Sequence, residues 1–160
     1  MAPILNHYDR KIQNSSLRIK RSLNFGIWTI DNSIMYQVVN QNDNILNLPQ
    51  FISRNTLYFK ERIFKNTLSI QTGINFKIFS KFYANEYNPL ISAFHIQSQK
   101  KIGGFPLFDF FFNAKIRQTK IFIIAEHINS SISGNSFYST PESVYRDFGV
   151  RFGFKWNLFN

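Results

Sequence analysis

The stretch Leu68-Ser69-Ile70-Gln71-Thr72-Gly73-Ile74-Asn75-Phe76-Lys77-Ile78 alternates apolar and polar side chains almost without a break. Successive side chains of a β-strand point to opposite faces. The segment therefore reads as a strand with Leu68, Ile70, Ile74, Phe76 and Ile78 on one face and Ser69, Gln71, Gly73, Asn75 and Lys77 on the other. The pattern continues to Phe82.

The same alternation recurs along the chain. From Ile27 to Val39, Trp28, Ile30, Ile34, Tyr36 and Val38 share a face interrupted by Asn32, opposite Thr29, Asp31, Ser33 and Gln37. From Leu107 to Arg117, Phe108, Phe110, Phe112, Ala114 and Ile116 oppose Asp109, Asn113, Lys115 and Arg117. From Phe148 to Phe159, Val150, Phe152, Phe154, Trp156 and Leu158 oppose Gly149, Arg151, Gly153, Lys155 and Asn157. Weaker strands are expected at Leu17–Asn24, Thr56–Phe64 and Lys120–Ile128, the last with two rather apolar faces and no clear facing.

Connections between these segments alternate in length. Gly26, Phe64–Asn66 and Arg117–Gln118 leave room only for tight turns, which make antiparallel hairpins. Asn40–Ser53, Tyr83–Gly104 and Asn129–Tyr145 are long, polar and rich in Asn, Ser, Gly and Pro. Two-faced strands with short turns at one end and long loops at the other are the pattern of an up-and-down transmembrane β-barrel. Counting gives seven spanning strands, with Phe94–Ser98 as an extension beyond the membrane. Single-chain bacterial barrels normally close with an even number, and Met1–Arg10 has no apolar core of the kind a secretory signal requires. Both features lead to the expectation of a C-terminal fragment of a larger barrel, with residues 1–16 irregular and residues 17–160 forming its strands.

Composition agrees with this class. The chain has 19 Phe, 7 Tyr and 2 Trp, yet its longest apolar run is the five residues Ile121–Ala125. A membrane helix needs about 18 or more, so helical spans are excluded, whereas a barrel strand hides its apolar residues at alternate positions. Trp28 and Trp156 are expected at the short-turn rim and Tyr36 near the other, since aromatic side chains gather at membrane interfaces. A β-sandwich with ordinary core aromatics is the soluble alternative.

The net charge of +10 favours a polyanionic partner. Lack of cysteine removes disulfides, thiolate metal sites and cysteine nucleophiles together. His7, His95 and His127 stand in no nucleophile spacing, and Glu126 and His127, adjacent on a strand, would face opposite ways. Asn42-Asp43-Asn44 reads as a polar loop, and Lys100-Lys101-Ile102-Gly103-Gly104 lacks the spacing of a phosphate-binding loop. No catalytic residue, metal site or cofactor is expected. The inward row is more informative: Lys60, Arg62, Lys77, Lys115, Arg117, Arg151 and Lys155 against Asp31, Asp109 and Glu126. A basic lumen enriches anions; the alternative is that these charges hydrate the wall or neutralise one another.

From Trp28 to Asn160 the chain resembles the C-terminal part of the β-barrel porins of Bacteroidota-type bacteria. The resemblance rests on Asn44-Ile45-Leu46-Asn47-Leu48-Pro49, Asn55-Thr56-Leu57-Tyr58-Phe59-Lys60, Tyr87-Asn88-Pro89, Ile102-Gly103-Gly104-Phe105-Pro106 and Asp109-Phe110-Phe111-Phe112-Asn113-Ala114-Lys115. Glu126-His127-Ile128-Asn129 and the ending Arg151-Phe152-Gly153-Phe154-Lys155-Trp156-Asn157-Leu158-Phe159-Asn160 complete it. It implies a bacterial outer-membrane location and contact with lipid and lipopolysaccharide. It also implies passage of small solutes, and insertion by the barrel-assembly machinery through a C-terminal strand ending in Trp156 and Phe159. Glu61 departs from it at a lipid-facing aromatic position. Two other classes stay open: a structural subunit of an outer-membrane complex, and a soluble basic β-domain in which bases stack on exposed rings, although long aliphatic faces suit lipid better, so no nucleic acid is expected.

Overall fold

The computed structural model describes residues 10–133 and 137–157. Its main body is one seven-stranded antiparallel sheet of β1 (Gln13–Phe25), β2 (Trp28–Asn40), β3 (Phe51–Ile63), β4 (Leu68–Phe79), β7 (Leu107–Ile116), β8 (Thr119–Glu126) and β9 (Gly149–Trp156), in that order across the sheet. The short β5 (Glu86–Asn88) and β6 (Ala93–His95) form a separate hairpin within the 80–106 connection, and a single helical turn, α1 (Ser130–Ser133), lies in the last one. The sheet is all-β, antiparallel and open, with β1 and β9 as its edges.

Chain-sequential pairing follows from the tight turns. Gly26, with φ +62°, turns β1 into β2; Phe64, Lys65 and Asn66 all take positive φ between β3 and β4; Arg117, with φ +52°, turns β7 into β8. Seven strands match the number expected, but several bounds move. β1 starts at Gln13 rather than Leu17, and β3 starts at Phe51, inside the stretch expected to be loop. β8 ends at Glu126 because His127 turns left-handed, with φ +53°. Of the expected extension at Phe94–Ser98, only Phe94 and His95 are strand, in β6 of the β5–β6 hairpin.

Cross-strand partners share a face, so the register assigns every side chain. One face carries Leu17, Ile19, Leu23 and Phe25 of β1 beside Tyr36, Ile34, Ile30 and Trp28 of β2, and continues to Val150, Phe152, Phe154 and Trp156 of β9. This face is bare: Phe152 is 81% exposed, Phe154 74% and Leu17 65%. An apolar surface of that extent would drive association in water and is at equilibrium only against lipid or another protein.

The strands are also staggered. Cross-strand partners followed from Trp28 run through Phe59, Thr72, Phe112 and Ile123 to Phe152, four residues short of Trp156 at the same end of the sheet. That offset over five strand spacings of about 4.8 Å, at about 3.4 Å per residue, means a tilt of about 30°, close to that of barrel strands.

Candidate functional site

The polar face contains the ionisable residues, and the register sorts them into rows. Ser22, Asp31, Thr56, Asn75, Asp109, Glu126 and Gly149 follow one another across all seven strands. This central row holds the carboxylates, and each is engaged. Lys77 Nζ donates to Asp109 at 2.6 Å. Arg146 donates to Glu126 at 2.9 Å, and Arg151 makes a second ion pair with the same carboxylate. Ser22 Oγ donates to Asp31. Asp109 and Glu126 are thereby ion-paired, whereas Asp31 is held by a hydroxyl.

Nearer the tight turns the balance differs. Arg62, Ser69, Lys115, Lys120 and Lys155 form one row across β3, β4, β7, β8 and β9, and Lys60 stands in the next row. Adjacent strands lie about 4.8 Å apart, so Lys115, Lys120 and Lys155 are three like charges side by side. Like charges directly opposite destabilise a sheet. Among the described residues no carboxylate comes within ion-pair distance of Lys60, Arg62, Lys115, Lys120 or Lys155. Lys60, Lys115, Lys120 and Lys155, with Gln71, Asn113 and Phe122, line a cleft of about 540 Å³.

Two glycines of this wall stand where a side chain would collide with the neighbouring strand. Tyr58 is paired with Gly73, where a Cβ would sit 2.2 Å from Leu57 O and 2.7 Å from Tyr58 Cα. Phe122 is paired with Gly153, its Cζ 2.6 Å from the site of a Cβ. A side chain at Gly153 would occupy the space the Phe122 ring fills, whereas one at Gly73 would meet the β3 backbone.

At the long-loop end the polar face is covered. Phe105 stacks on Phe137 at 4.0 Å and approaches Phe79 and Tyr145, and Ile102, Phe105, Leu107 and Phe111 are the buried hydrophobic residues among the described ones. Asn129 ties the two loops together, accepting from Phe108 N and donating to Pro106 O. His127, 2% exposed, contacts Phe137 and Tyr145; its backbone N–H donates to Asp109 and its Nδ1 lies 2.8 Å from Arg146 O. Ile102 bridges to Phe82, and Gly103 and Gly104 take positive φ against Phe79 and Lys81, so the Lys100–Gly104 run is a packed loop support.

The residues singled out from sequence fall as follows. Asp31, Lys60, Arg62, Lys77, Asp109, Lys115, Glu126, Arg151 and Lys155 share the polar face, whereas Arg117 stands in the β7–β8 turn, beyond the reach of strand parity. Trp28 and Trp156 are exposed on the apolar face at the tight-turn end and Tyr36 toward the other; Phe159 lies outside the described residues. Sequence reading missed Lys120, because both faces of its strand look apolar. The signal was the two-residue turn, which sets Thr119 opposite Ile116 and so Lys120 opposite Lys115. It also missed Lys20 and Arg54, which share an inner row with Ser33 and Lys77.

On the opposite face Glu61, paired with Ile70, is exposed two residues before the end of β3. A charge there costs little, since the penalty falls toward about 0–1 kcal/mol at the interface. Searches of curated proteins and of solved structures found no match. The sequence profile of the family described as "Putative porin" matches residues 5–160. A two-faced antiparallel sheet of tilted strands, bare on its apolar side and charged on the other, is what such a protein requires, and the chain belongs to this porin family of bacterial outer-membrane β-barrels.

Proposed function

We propose that the chain forms part of the wall of a passive outer-membrane pore that favours small anions. The observation supporting this is the basic row Arg62–Lys115–Lys120–Lys155, on the polar face and without carboxylate partners among the described residues. A unit charge about 8 Å from an ion in water contributes about 0.5 kcal/mol. Four together enrich an anion roughly thirtyfold before salt screening, which shortens their reach to about 10 Å at 0.1 M. In the central row Asp109 and Glu126 oppose an anion little, because each is ion-paired to a base.

The test is the reversal potential of the full-length protein in planar bilayers under a salt gradient. Anion selectivity is expected, shifting toward neutrality when Lys115, Lys120 and Lys155 become Gln. A cation-selective pore, or selectivity unmoved by the triple variant, refutes the reading. A silent barrel would favour the second reading, a structural subunit of an outer-membrane complex, which is supported by the Phe105–Phe137–Tyr145 cluster over the long-loop end. In either reading the apolar face is turned outward into the membrane, the long-loop rim meets lipopolysaccharide, and the Gly149–Trp156 strand is presented to the assembly machinery.

A further inference from the structure

Besides single polar residues such as Ser53, Glu61 and Thr72, the apolar face carries three polar side chains that the register sets side by side in a row. Arg21 of β1 is partnered with Asn32 of β2, and Asn32 with Asn55 of β3. Leu23, Ile30 and Leu57 border the row on one side, and Ile19, Ile34 and the buried Ser53 on the other. Arg21 is five residues from Gly26 at the turn. At about 3.4 Å per residue and a tilt of 30–40° it lies about 13 Å above the rim of an apolar band about 25 Å tall. The row is therefore at mid-depth, where a charge facing lipid is most costly, unlike Glu61 at the rim.

These groups are also underused. Arg21 is exposed, and neither it nor Asn32 makes a side-chain hydrogen bond among the described residues. Asn55 Nδ2 donates to Ser53 Oγ at 2.8 Å, which leaves Asn55 Oδ1 as an unengaged acceptor. The row thus runs from a donor-only guanidinium, through a carboxamide able to donate and accept, to a free acceptor.

We infer that this face of β1–β3 is the contact between two copies of the chain, related by a two-fold axis through Asn32. The inference rests on the membrane reading above, which turns the face outward. A two-fold contact sets a patch against itself. Exchanging the ends of the row brings Arg21 of each copy to Asn55 of the other, and Asn32 meets its own counterpart. The donor and the acceptor at opposite ends are then satisfied twice over, while Ile19, Leu23, Ile30 and Ile34 exclude lipid and water around them. Acyl chains offer no acceptor, and phosphate headgroups lie at the surface rather than at mid-depth.

The chain contains no cysteine, so single reporters are unambiguous. In membranes, Asn32→Cys is expected to give a self-crosslinked dimer with a short bifunctional thiol reagent. Arg21→Cys mixed with Asn55→Cys should crosslink more than either alone, and Phe152→Cys on β9 should stay monomeric. Arg21→Leu should weaken the dimer at least tenfold in detergent sedimentation while leaving the chain membrane-bound, and this arm stands even where a cysteine variant fails to fold. An Asn32→Cys chain that reacts with a lipid-soluble maleimide yet remains monomeric overturns the inference, as does crosslinking to a different protein or an unchanged dimer in Arg21→Leu. Release of the wild-type chain from membranes by alkaline carbonate would overturn the membrane reading, and this contact with it.

Discussion

Asp109 joins the wall to the loop that closes over it, so its removal separates two contributions to stability. The carboxylate is 6% exposed, accepts Lys77 Nζ at 2.6 Å and accepts the backbone N–H of His127 at 3.0 Å. A hydrogen bond to a charged group contributes about 1.5–3 kcal/mol, and a buried donor left unpaired costs about 1–3 kcal/mol. The Lys77 side chain is 46% exposed, so its ammonium regains water and the first figure falls to its lower end. His127 is buried and its N–H has no such recourse. Asp109→Ala should therefore cost about 3 kcal/mol. Asp109→Asn keeps the acceptor for His127 and loses only the charge, and should cost about 1 kcal/mol.

Urea unfolding in detergent, followed through Trp28 and Trp156 fluorescence, measures both. Because His127 opens the 127–148 connection, limited proteolysis of that loop should accelerate in Asp109→Ala and far less in Asp109→Asn. An Ala variant within about 0.5 kcal/mol of wild type, or an Asn variant as destabilised as Ala, would refute the division between ion pair and loop anchor.

Other expectations are independent of this one. Gly73→Ala should destabilise by about 2 kcal/mol, since its Cβ meets the backbone of β3, whereas at Gly153 it meets only the end of the Phe122 ring and should cost well under 1 kcal/mol; equal losses in urea titration would contradict the contrast. In the loops, the Glu142 carboxyl is held above its usual pKa by a hydrogen bond with Glu86, then by the Glu86 charge and by burial, with His95 and Lys100 opposing. A raised folded-state pKa means that the stabilisation is complete below the unfolded value and is lost as pH rises through the folded one. Hydrogen-exchange protection around Glu86 and Glu142, taken relative to the intrinsic rate at each pH, should thus fall between acid and neutral pH, and Glu142→Gln should flatten that dependence; an identical profile in the variant would exclude the carboxyl pair as its source. Neutralising Lys120 alone should lower anion selectivity in bilayers about as much as neutralising Lys115, and a silent substitution would remove Lys120 from the conducting wall.

Much of the architecture is legible in the sequence, because alternation and turn length are local. The Leu68–Ile78 and Leu107–Ile116 strands can be read from side-chain polarity alone, and the count of seven follows from short and long connections. Bounds fail where polarity is ambiguous: β3 begins at Phe51 because pairing with β2 and β4 holds a stretch whose composition reads as loop. Most inward basic residues are recognisable by parity; Lys120, on a strand apolar on both faces, and Lys20 and Arg54 were missed, and Arg117 lies in a turn where parity has no meaning.

The sequence by itself determined the class: a two-faced antiparallel sheet, aromatic-rich and basic inside, with one end of tight turns. Only the tertiary structure decided which charges meet. Strand parity says that Lys77 and Lys115 share a face, but register decides that one reaches Asp109 while the other stands beside Lys120 and Lys155, with no acid in ion-pair reach among the described residues. Register likewise turns Arg21, Asn32 and Asn55, far apart in the chain, into one row at mid-depth. Facing is a property of one strand with period two, whereas pairing depends on the offset between strands, and that offset is set by turns and long-range packing that no local pattern encodes.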